Sequence, residues 1–317
     1  MILALRALGV GDLATAVPAV RALRAAYPDR ELVLAAPAWL GPLVELVGGV
    51  DRLLPADGLD RLGTPGGPVE VAVNLHGRGP RSHRLLATTG PDRLFAFADA
   101  RADHADGPGW DEEEHEVARW CRLLRWYGIP TDPTDLDLRR PASGTMPTGV
   151  TVLHPGSKVP AKRWPPGRYA AVARELTGRG HRVVLTGGTG ERATAVRVAD
   201  EVGLPADAVL AGRTDLGQLA ALVAGARLVV SGDTGVAHLA TGYRTPSVVI
   251  FGPVPPARWG PPPERRRHRV LWAGPAASPG GDGVDGHPAV TAVGVDAVLA
   301  AVEEVERVVR ADRAVAA

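Results

Sequence analysis

One short stretch in the second half of the chain, residues 231–240, has the composition of an anion-binding turn. An apolar run at residues 226–230 precedes it, and the sequence SGDTGVAHLA then leads into a segment that is expected to be helical. Glycine lets backbone N–H groups approach a ligand closely, the Thr234 hydroxyl adds a donor, and a helix N-terminus adds partial positive charge. These features predict a diphosphate site at Thr234 and Gly235.

A second strand-to-helix junction, residues 154–165, carries hydroxyl and cationic side chains in the sequence HPGSKVPAKRWP. The chain has only two lysines, Lys158 and Lys162, and both lie in this loop. We therefore favour a placed cation at Lys162 over a solvated loop lysine. Asp233 is expected to orient either a donor hydroxyl or the Lys162 ammonium, or else to stabilise its own turn.

In the first half, the sequence GVGD at residues 9–12 directly follows an apolar run. With Ala14 it gives G-x-G-x-x-A, but no acidic residue ends a second strand, so a nicotinamide dinucleotide site is disfavoured. A carboxylate at such a turn can act as a general base on an acceptor hydroxyl. Aspartate is also a preferred helix cap, and spacing alone favours the cap for Asp12.

Polar side chains also follow another predicted strand of the first half, in the loop that contains His76, Arg78 and Arg81. An arginine there suits a phosphate or carboxylate of an acceptor, and an ordinary structural loop is the equal alternative. The run RRRHR at residues 265–269 could contact an anionic acceptor, but such a run is usually a solvated face.

Two further candidates lie near the predicted diphosphate turn. Gly188 and Glu191 close a strand-to-helix loop, where Glu191 could hold hydroxyls or simply favour the helix start. His238 lies four residues beyond Thr234 and could face a ligand or pack within the fold.

Two acidic groups have the composition of a metal site. The first lies within residues 104–115 and is explained by a helix predicted to begin at Asp111, with Glu114 completing a capping box. The second, DLD at residues 135–137, lies in a predicted linker rather than after a nucleotide-binding strand. No catalytic metal is expected.

Composition narrows the class of protein. A chain of 317 residues predicts about two domains, and 45% hydrophobic residues suffice for globular burial. The formal net charge of +1 gives no argument for nucleic-acid or membrane binding. A single cysteine, Cys121, excludes an internal disulfide framework. With no signal peptide and no spanning run, a cytoplasmic protein is expected.

Short β-branched runs alternate with helical patterns, which predicts parallel sheets of βα units. Strands are predicted at residues 2–5, 31–35, 52–54, 69–75, 149–153, 182–186, 209–210, 228–230 and 247–251. Helices are predicted at residues 13–26, 111–127, 166–179, 191–202, 215–224 and 294–310. The pattern dissolves between residues 128 and 149, so we predict two Rossmann-like domains, residues 1–143 and 144–317, that face a central cleft.

The chain resembles glycosyltransferase family 9, the bacterial heptosyltransferase family that uses ADP-heptose donors. The resemblance covers nearly the whole length. It is carried, in order, by residues 6–12 (RALGVGD), 18–28 (PAVRALRAAYP), 74–78 (NLHGR), 154–165, 232–238 (GDTGVAH) and 251–259 (FGPVPPARW).

The resemblance implies an α/β GT-B fold, an N-terminal acceptor domain, a C-terminal domain for the nucleotide sugar, and an inverting transfer. Asp12 and Lys162 match catalytic positions of the family. The donor-binding positions are Ser157, Lys162, Gly188, Glu191, Asp233, Thr234, Gly235 and His238. The acceptor-binding positions are Gly11, His76, Arg78 and Arg81.

The expected donor is an ADP-sugar, and no cofactor, metal or nucleic acid is expected. The expected acceptor is a glycolipid, a polysaccharide or a small natural product. The protein is expected to be a monomer with at most peripheral membrane contact. A GT-B nucleotide-sugar epimerase and a non-catalytic nucleotide-sugar-binding protein remain as alternatives. A retaining enzyme is disfavoured because no glutamate pair in the second half has the expected spacing.

Overall fold

Apolar runs in the two halves of the chain form two separate parallel sheets in the computed structural model, which describes residues 1–141, 144, 146–274 and 287–316. The chain divides into two compact units, Met1–Arg139 and Arg140–Ala317. The two parallel α/β sheets predicted from the sequence are therefore present. The segment at which the sequence pattern suggested a boundary includes residues 142, 143 and 145, outside the described residues.

The sheet of the first unit has the strand order β3-β2-β1-β4-β5, and all of its pairs are parallel. Its strands are β1 (Ile2–Leu5), β2 (Leu32–Ala36), β3 (Arg52–Pro55), β4 (Val71–Asn74) and β5 (Arg93–Phe95). Strands β1, β2 and β4 are buried along their whole length, as expected for strands covered on both faces. The predicted strands of this unit lie within two residues of the observed ones, and β5 was missed.

The helices of the first unit are α1 (Val10–Thr15), α2 (Val17–Ala26), α3 (Gly41–Val47), α4 (Arg81–Ala87) and α5 (Glu116–Trp126). The single helix predicted over residues 13–26 is wrong, because the chain forms two helices that meet at Ala16, with Pro18 in the first turn of the second. Proline is tolerated in a first turn and not in a helix interior, which accounts for the break.

The start predicted for α5 is also wrong. Asp111 lies outside the helix and accepts a hydrogen bond from the Glu113 N–H, and the helix begins at Glu116 with His115 as its N-cap. Glu114, taken as part of a capping box, instead binds Arg122. The true start brings Glu116 into the interior, where it becomes important for the site described below.

The sheet of the second unit has the order β10-β9-β8-β6-β7 and is again fully parallel. Its strands are β6 (Thr151–His154), β7 (Val183–Leu185), β8 (Leu228–Gly232), β9 (Ser247–Ile250) and β10 (His268–Leu271). The sequence pattern does not predict β10, because residues 265–269 resemble a solvated charge run. His268 within that run is in fact buried. The strand predicted at residues 209–210 is only an isolated bridge between Leu185 and Val209.

The helices of the second unit are α6 (Pro166–Gly178), α7 (Arg192–Val202), α8 (Leu216–Ala224), α9 (Gly235–Tyr243), α10 (Pro256–Trp259), α11 (Pro288–Thr291) and α12 (Val295–Ala316). Helices predicted at residues 166–179, 191–202 and 215–224 agree within one residue, and α12 ends six residues later than predicted. Within the part of the chain that is described, no helix is long and apolar enough to cross a membrane.

Buried and half-buried histidines make the fold sensitive to acid. Burial lowers the pKa of His76, His83, His154, His181 and His268. For His268, which is 6% exposed and lies 2.8 Å from the Ser247 hydroxyl, the pKa falls to about 4. Between pH 6.5 and about 4 the unfolded chain binds more protons than the folded chain, so stability falls as pH falls.

We therefore expect the free energy of unfolding in urea to decrease from pH 7 to pH 4.5, with up to about 3 kcal/mol of that loss due to His268. His268→Asn removes the titrating group and keeps a polar partner for Ser247. It should flatten the pH dependence, and an unchanged slope would contradict the assignment.

Candidate active site

Lys162 and Asp233 meet where the chain switches sides of the second sheet. β6 and β8 are neighbours, while the chain between them runs through β7 on the far side of β6. Ligands of open α/β sheets bind outside the carboxyl ends of strands at such a point. Lys162 follows β6, Asp233 follows β8, and Lys162 Nζ donates to Asp233 Oδ2 at 2.5 Å. The contact with the Lys162 ammonium, one of the alternatives predicted for Asp233, is present.

The loop that carries Lys162 is fixed by its own hydrogen bonds. The Ser157 hydroxyl accepts the Val159 N–H at 3.2 Å, and the Arg163 guanidinium donates to the Ser157 carbonyl at 2.8 Å. Trp164 is 1% exposed, and its indole N–H donates to the Val293 carbonyl at 2.9 Å. A rigid anchor on each side therefore holds Lys162 at the sheet edge.

Two glycines let this loop lie directly against the sheet. A Cβ at Gly232 would stand 3.2 Å from the Lys162 carbonyl oxygen. A Cβ at Gly252 would stand 3.3 Å from the Ala161 carbonyl oxygen and 2.6 Å from the Val290 side chain. The close approach brings the Lys162 backbone next to the end of β8.

The N-terminus of α9 lies beside this ion pair. Thr234 is its N-cap and Gly235 its first residue. The Thr234 hydroxyl is buried and has no hydrogen-bond partner among the described residues. A buried polar group left unpaired in a native fold calls for an explanation, and a bound oxygen ligand supplies one. His238 packs edge-to-face on Trp259, with ring centroids 6.0 Å apart.

Glu191 lies over Gly156, on the other side of β6. Its carboxylate accepts the Gly188 N–H at 2.7 Å, and its charge opposes the lowering of the His154 pKa by burial. A Cβ at Gly156 would stand 2.2 Å from the Glu191 carboxyl carbon. The absence of a side chain at residue 156 thus sets where the carboxylate lies.

Gly156→Ala should displace the Glu191 carboxylate without unfolding the chain, because the clash involves the end of a flexible side chain. If Glu191 holds ligand hydroxyls, ADP affinity measured by calorimetry should fall about tenfold, the value of one hydrogen bond to a charged group. Glu191→Ala should weaken binding equally, and the double variant no further. Gly190→Ala, whose added methyl meets nothing within 4 Å, is the matched control.

Asp12 occupies the corresponding switch point of the first sheet, between β1 and β4. It is the third residue of α1, and its Oδ2 accepts the Gly9 N–H at 3.0 Å. Asp12 therefore does stabilise the helix start, as the spacing predicts. It does so by accepting the N–H of the N-cap residue Gly9 and is not the N-cap itself. The Asp12 side chain remains 30% exposed, so one function does not exclude the other.

Arg6 supports the turn that contains Asp12. From the sequence, Arg6 has no predicted role beyond its place in a motif. It is fully buried. Its guanidinium donates to the Asp12 carbonyl at 2.9 Å and to the Leu75 carbonyl, and lies 3.6 Å from Asp12 Oδ1. The sequence signal that could have identified Arg6 is its position directly after an apolar strand, because a buried arginine requires a buried partner.

That partner is Glu116, at the true start of α5. Its carboxylate accepts hydrogen bonds from Arg6 at 2.9 Å, from the Trp120 indole at 3.0 Å, and from Arg119. Arg6 also stacks on Trp120, 4.6 Å from the ring centroid. The two arginines balance Glu116 and Asp12, so the group is electrically neutral as a whole. Of its two carboxylates, that of Asp12 is partly exposed to solvent and that of Glu116 is buried.

The family model described as "Glycosyltransferase family 9 (heptosyltransferase)" matches residues 109–279, more than half of the chain. The chain belongs to this family. It is a glycosyltransferase.

Relatives and solved structures agree with the assignment. Lipopolysaccharide heptosyltransferase 2 of Escherichia coli K12 is 26% identical over 83% of this chain and 85% of its own length. Lipopolysaccharide heptosyltransferase 1 of Pseudomonas aeruginosa is 35% identical over 46% of this chain and 42% of its own. The structure of E. coli ADP-heptose LPS heptosyltransferase II is 22% identical, with a TM-score of 0.76 over 96% of this chain and 98% of that one. The predicted GT-B fold class is confirmed.

The remaining candidates of the first unit follow β4. The His76 Nδ1 is buried and finds no partner within the described ranges, and its pKa is lowered to about 4 by burial and then by Arg6. The neutral imidazole is thus available for an acceptor hydroxyl. Arg78 and Arg81 are more than half exposed and pair with Glu112 and Asp60, respectively.

Neither acidic group considered for a metal forms a site among the residues described. No cluster of three or more histidine, cysteine, aspartate or glutamate side chains there could hold a metal ion. Asp135 instead pairs with Arg21 in this family 9 chain.

Proposed function

We propose that this family 9 enzyme transfers a heptose from ADP-heptose to a hydroxyl of a glycolipid, polysaccharide or natural-product acceptor, with inversion at the anomeric carbon. The observation that carries the proposal is the edge of the second sheet, where Lys162 and the N-terminus of α9 lie together with the Thr234 hydroxyl, which has no partner among the described residues. The name of the solved E. coli structure supports the choice of ADP-heptose.

In the proposed reaction the Asp12 carboxylate accepts the proton of the acceptor hydroxyl while that oxygen attacks the anomeric carbon. The bond from this carbon to the diphosphate oxygen breaks, and the bonding electrons leave with ADP. Lys162 and the backbone N–H groups of Thr234 and Gly235 would stabilise that negative charge, which is stabilisation aimed at the developing charge. Ser157 is proposed to bind the donor phosphates, and Glu191 the ribose hydroxyls.

The acceptor is proposed to lie on the first unit, against Gly11 and His76. Arg78 and Arg81 are proposed to bind its anionic groups, which requires each arginine to exchange an exposed ion pair for a substrate contact. Exposed pairs contribute only about 0–1 kcal/mol, so that exchange is inexpensive.

Calorimetric titration with ADP, GDP, UDP, dTDP and NAD tests the donor assignment. Selective ADP binding is expected, weakened by Lys162→Ala and unchanged by Lys158→Ala, which removes the same charge from the same loop. Preference for another diphosphate would overturn ADP-heptose as donor. Binding of NAD alone would overturn the proposed donor site.

A further inference from the structure

A cavity lies at the amino ends of the strands of the second sheet, on the side away from Lys162 and Asp233. It has a volume of about 670 Å³ and is lined by Leu228, Pro246 and neighbouring residues, at the amino ends of β8 and β9. Lys162 and Asp233 follow the carboxyl ends of their strands, so this cavity is separate from the proposed donor site. Its volume falls within the range of small-molecule sites, about 300–1,000 Å³.

The cavity is strongly basic. We call it the arginine pocket, after the six arginines that line it: Arg140, Arg227, Arg244, Arg267, Arg310 and Arg313. Glu306 is the one carboxylate in the lining, and it pairs with Arg227 at 2.5 Å. Asp312, outside the lining, pairs with Arg267 at 2.6 Å.

The described residues leave an excess of positive charge at the pocket. Arg244 has a partner of its own. Among the described residues, the other five arginines and these two carboxylates carry a formal charge of +3, whereas the whole chain carries only +1. The C-termini of α8 and α9 also end at the pocket, and each contributes about half a negative charge, so about two positive charges remain.

Tyr243 provides an independent indication of a ligand. It lines the pocket, is 6% exposed, and its buried hydroxyl has no hydrogen-bond partner in the described part of the chain. Burial raises the pKa of the phenol, so the hydroxyl stays protonated and can donate to an anion. Leaving such a group unpaired destabilises the fold unless a ligand satisfies it.

We propose that the arginine pocket binds a ligand that carries a phosphate group, at a site distinct from that of the sugar donor. The planar guanidinium presents paired N–H donors that match phosphate oxygens. Arginines from four helix or strand ends converge on the cavity, and the Tyr243 hydroxyl adds a neutral donor at its wall.

Calorimetric titration of the full chain with tripolyphosphate tests this site. The double variant Arg310→Gln/Arg313→Gln should weaken the pocket's binding at least about tenfold, and Tyr243→Phe by several-fold. Lys162→Ala should leave tripolyphosphate binding at the arginine pocket unchanged, which distinguishes the pocket from the donor site. The control Arg174→Gln/Arg197→Gln removes the same charge from exposed helix positions outside the pocket.

A second arm distinguishes a soluble ligand from a lipid headgroup. Cosedimentation with phosphatidylglycerol vesicles, against phosphatidylcholine vesicles, is compared between wild type and the pocket variants. Pocket-dependent binding of tripolyphosphate supports a soluble ligand, and pocket-dependent binding of the anionic vesicles alone supports a lipid phosphate. Equal losses in the control variant, or binding to neither probe, would overturn the proposal.

Discussion

Asp12→Asn is expected to lower turnover by about 10²–10⁴-fold, the usual contribution of a general base. The reason is chemical rather than structural. The amide oxygen can still accept the Gly9 N–H that Asp12 Oδ2 accepts at 3.0 Å, so the start of α1 should survive. It cannot take the proton of an acceptor hydroxyl. Initial rates with saturating donor, together with thermal unfolding, measure the two effects separately.

Two comparisons sharpen that result. ADP affinity should be unchanged in Asp12→Asn, because the candidate donor residues all belong to the other unit. Asp215→Asn is the matched control, since Asp215 also accepts a backbone N–H at a helix start and has no proposed chemical role. Turnover near the wild-type level in Asp12→Asn would exclude Asp12 as the base.

Much of the second unit could be predicted because its signals are local. Alternating apolar runs and turn residues located β6, β8 and α9, and the scarcity of lysine singled out Lys162. The contact between Lys162 and Asp233 also follows from topology. Asp233 directly follows β8 and Lys162 lies in the loop after the neighbouring strand β6, and the carboxyl ends of parallel strands share one edge of the sheet.

What could not be predicted depends on contacts between distant residues. Arg6 and Glu116 are 110 residues apart, and neither position alone shows that one neutralises the other. The predicted start of α5 is wrong because the sequence alone is compatible with a capping box formed by Asp111 and Glu114. Likewise, RRRHR resembles a solvated run, although β10 pairs with β9 there and buries His268.

Lys162→Ala is expected to impair both donor binding and stability, and the two losses can be separated. Removing an ammonium that binds phosphate should weaken ADP affinity by about 10–100-fold, as for one hydrogen bond to a charged group. It also leaves the Asp233 carboxylate, 3% exposed, without its counter-ion. Breaking a fully buried pair costs about 3–5 kcal/mol. Because the Lys162 side chain is 22% exposed, we expect a smaller loss, about 1–3 kcal/mol.

The double variant Lys162→Ala/Asp233→Asn separates these effects, because it removes the unpaired charge without restoring the cation. Its free energy of unfolding should recover toward the wild-type value, while its ADP affinity stays low. Lys158→Ala controls for the loss of one positive charge from the same loop. If Lys158→Ala weakened ADP binding as much as Lys162→Ala, the loop would act through its overall charge, and the role of the Lys162–Asp233 pair in orienting the cation would be refuted.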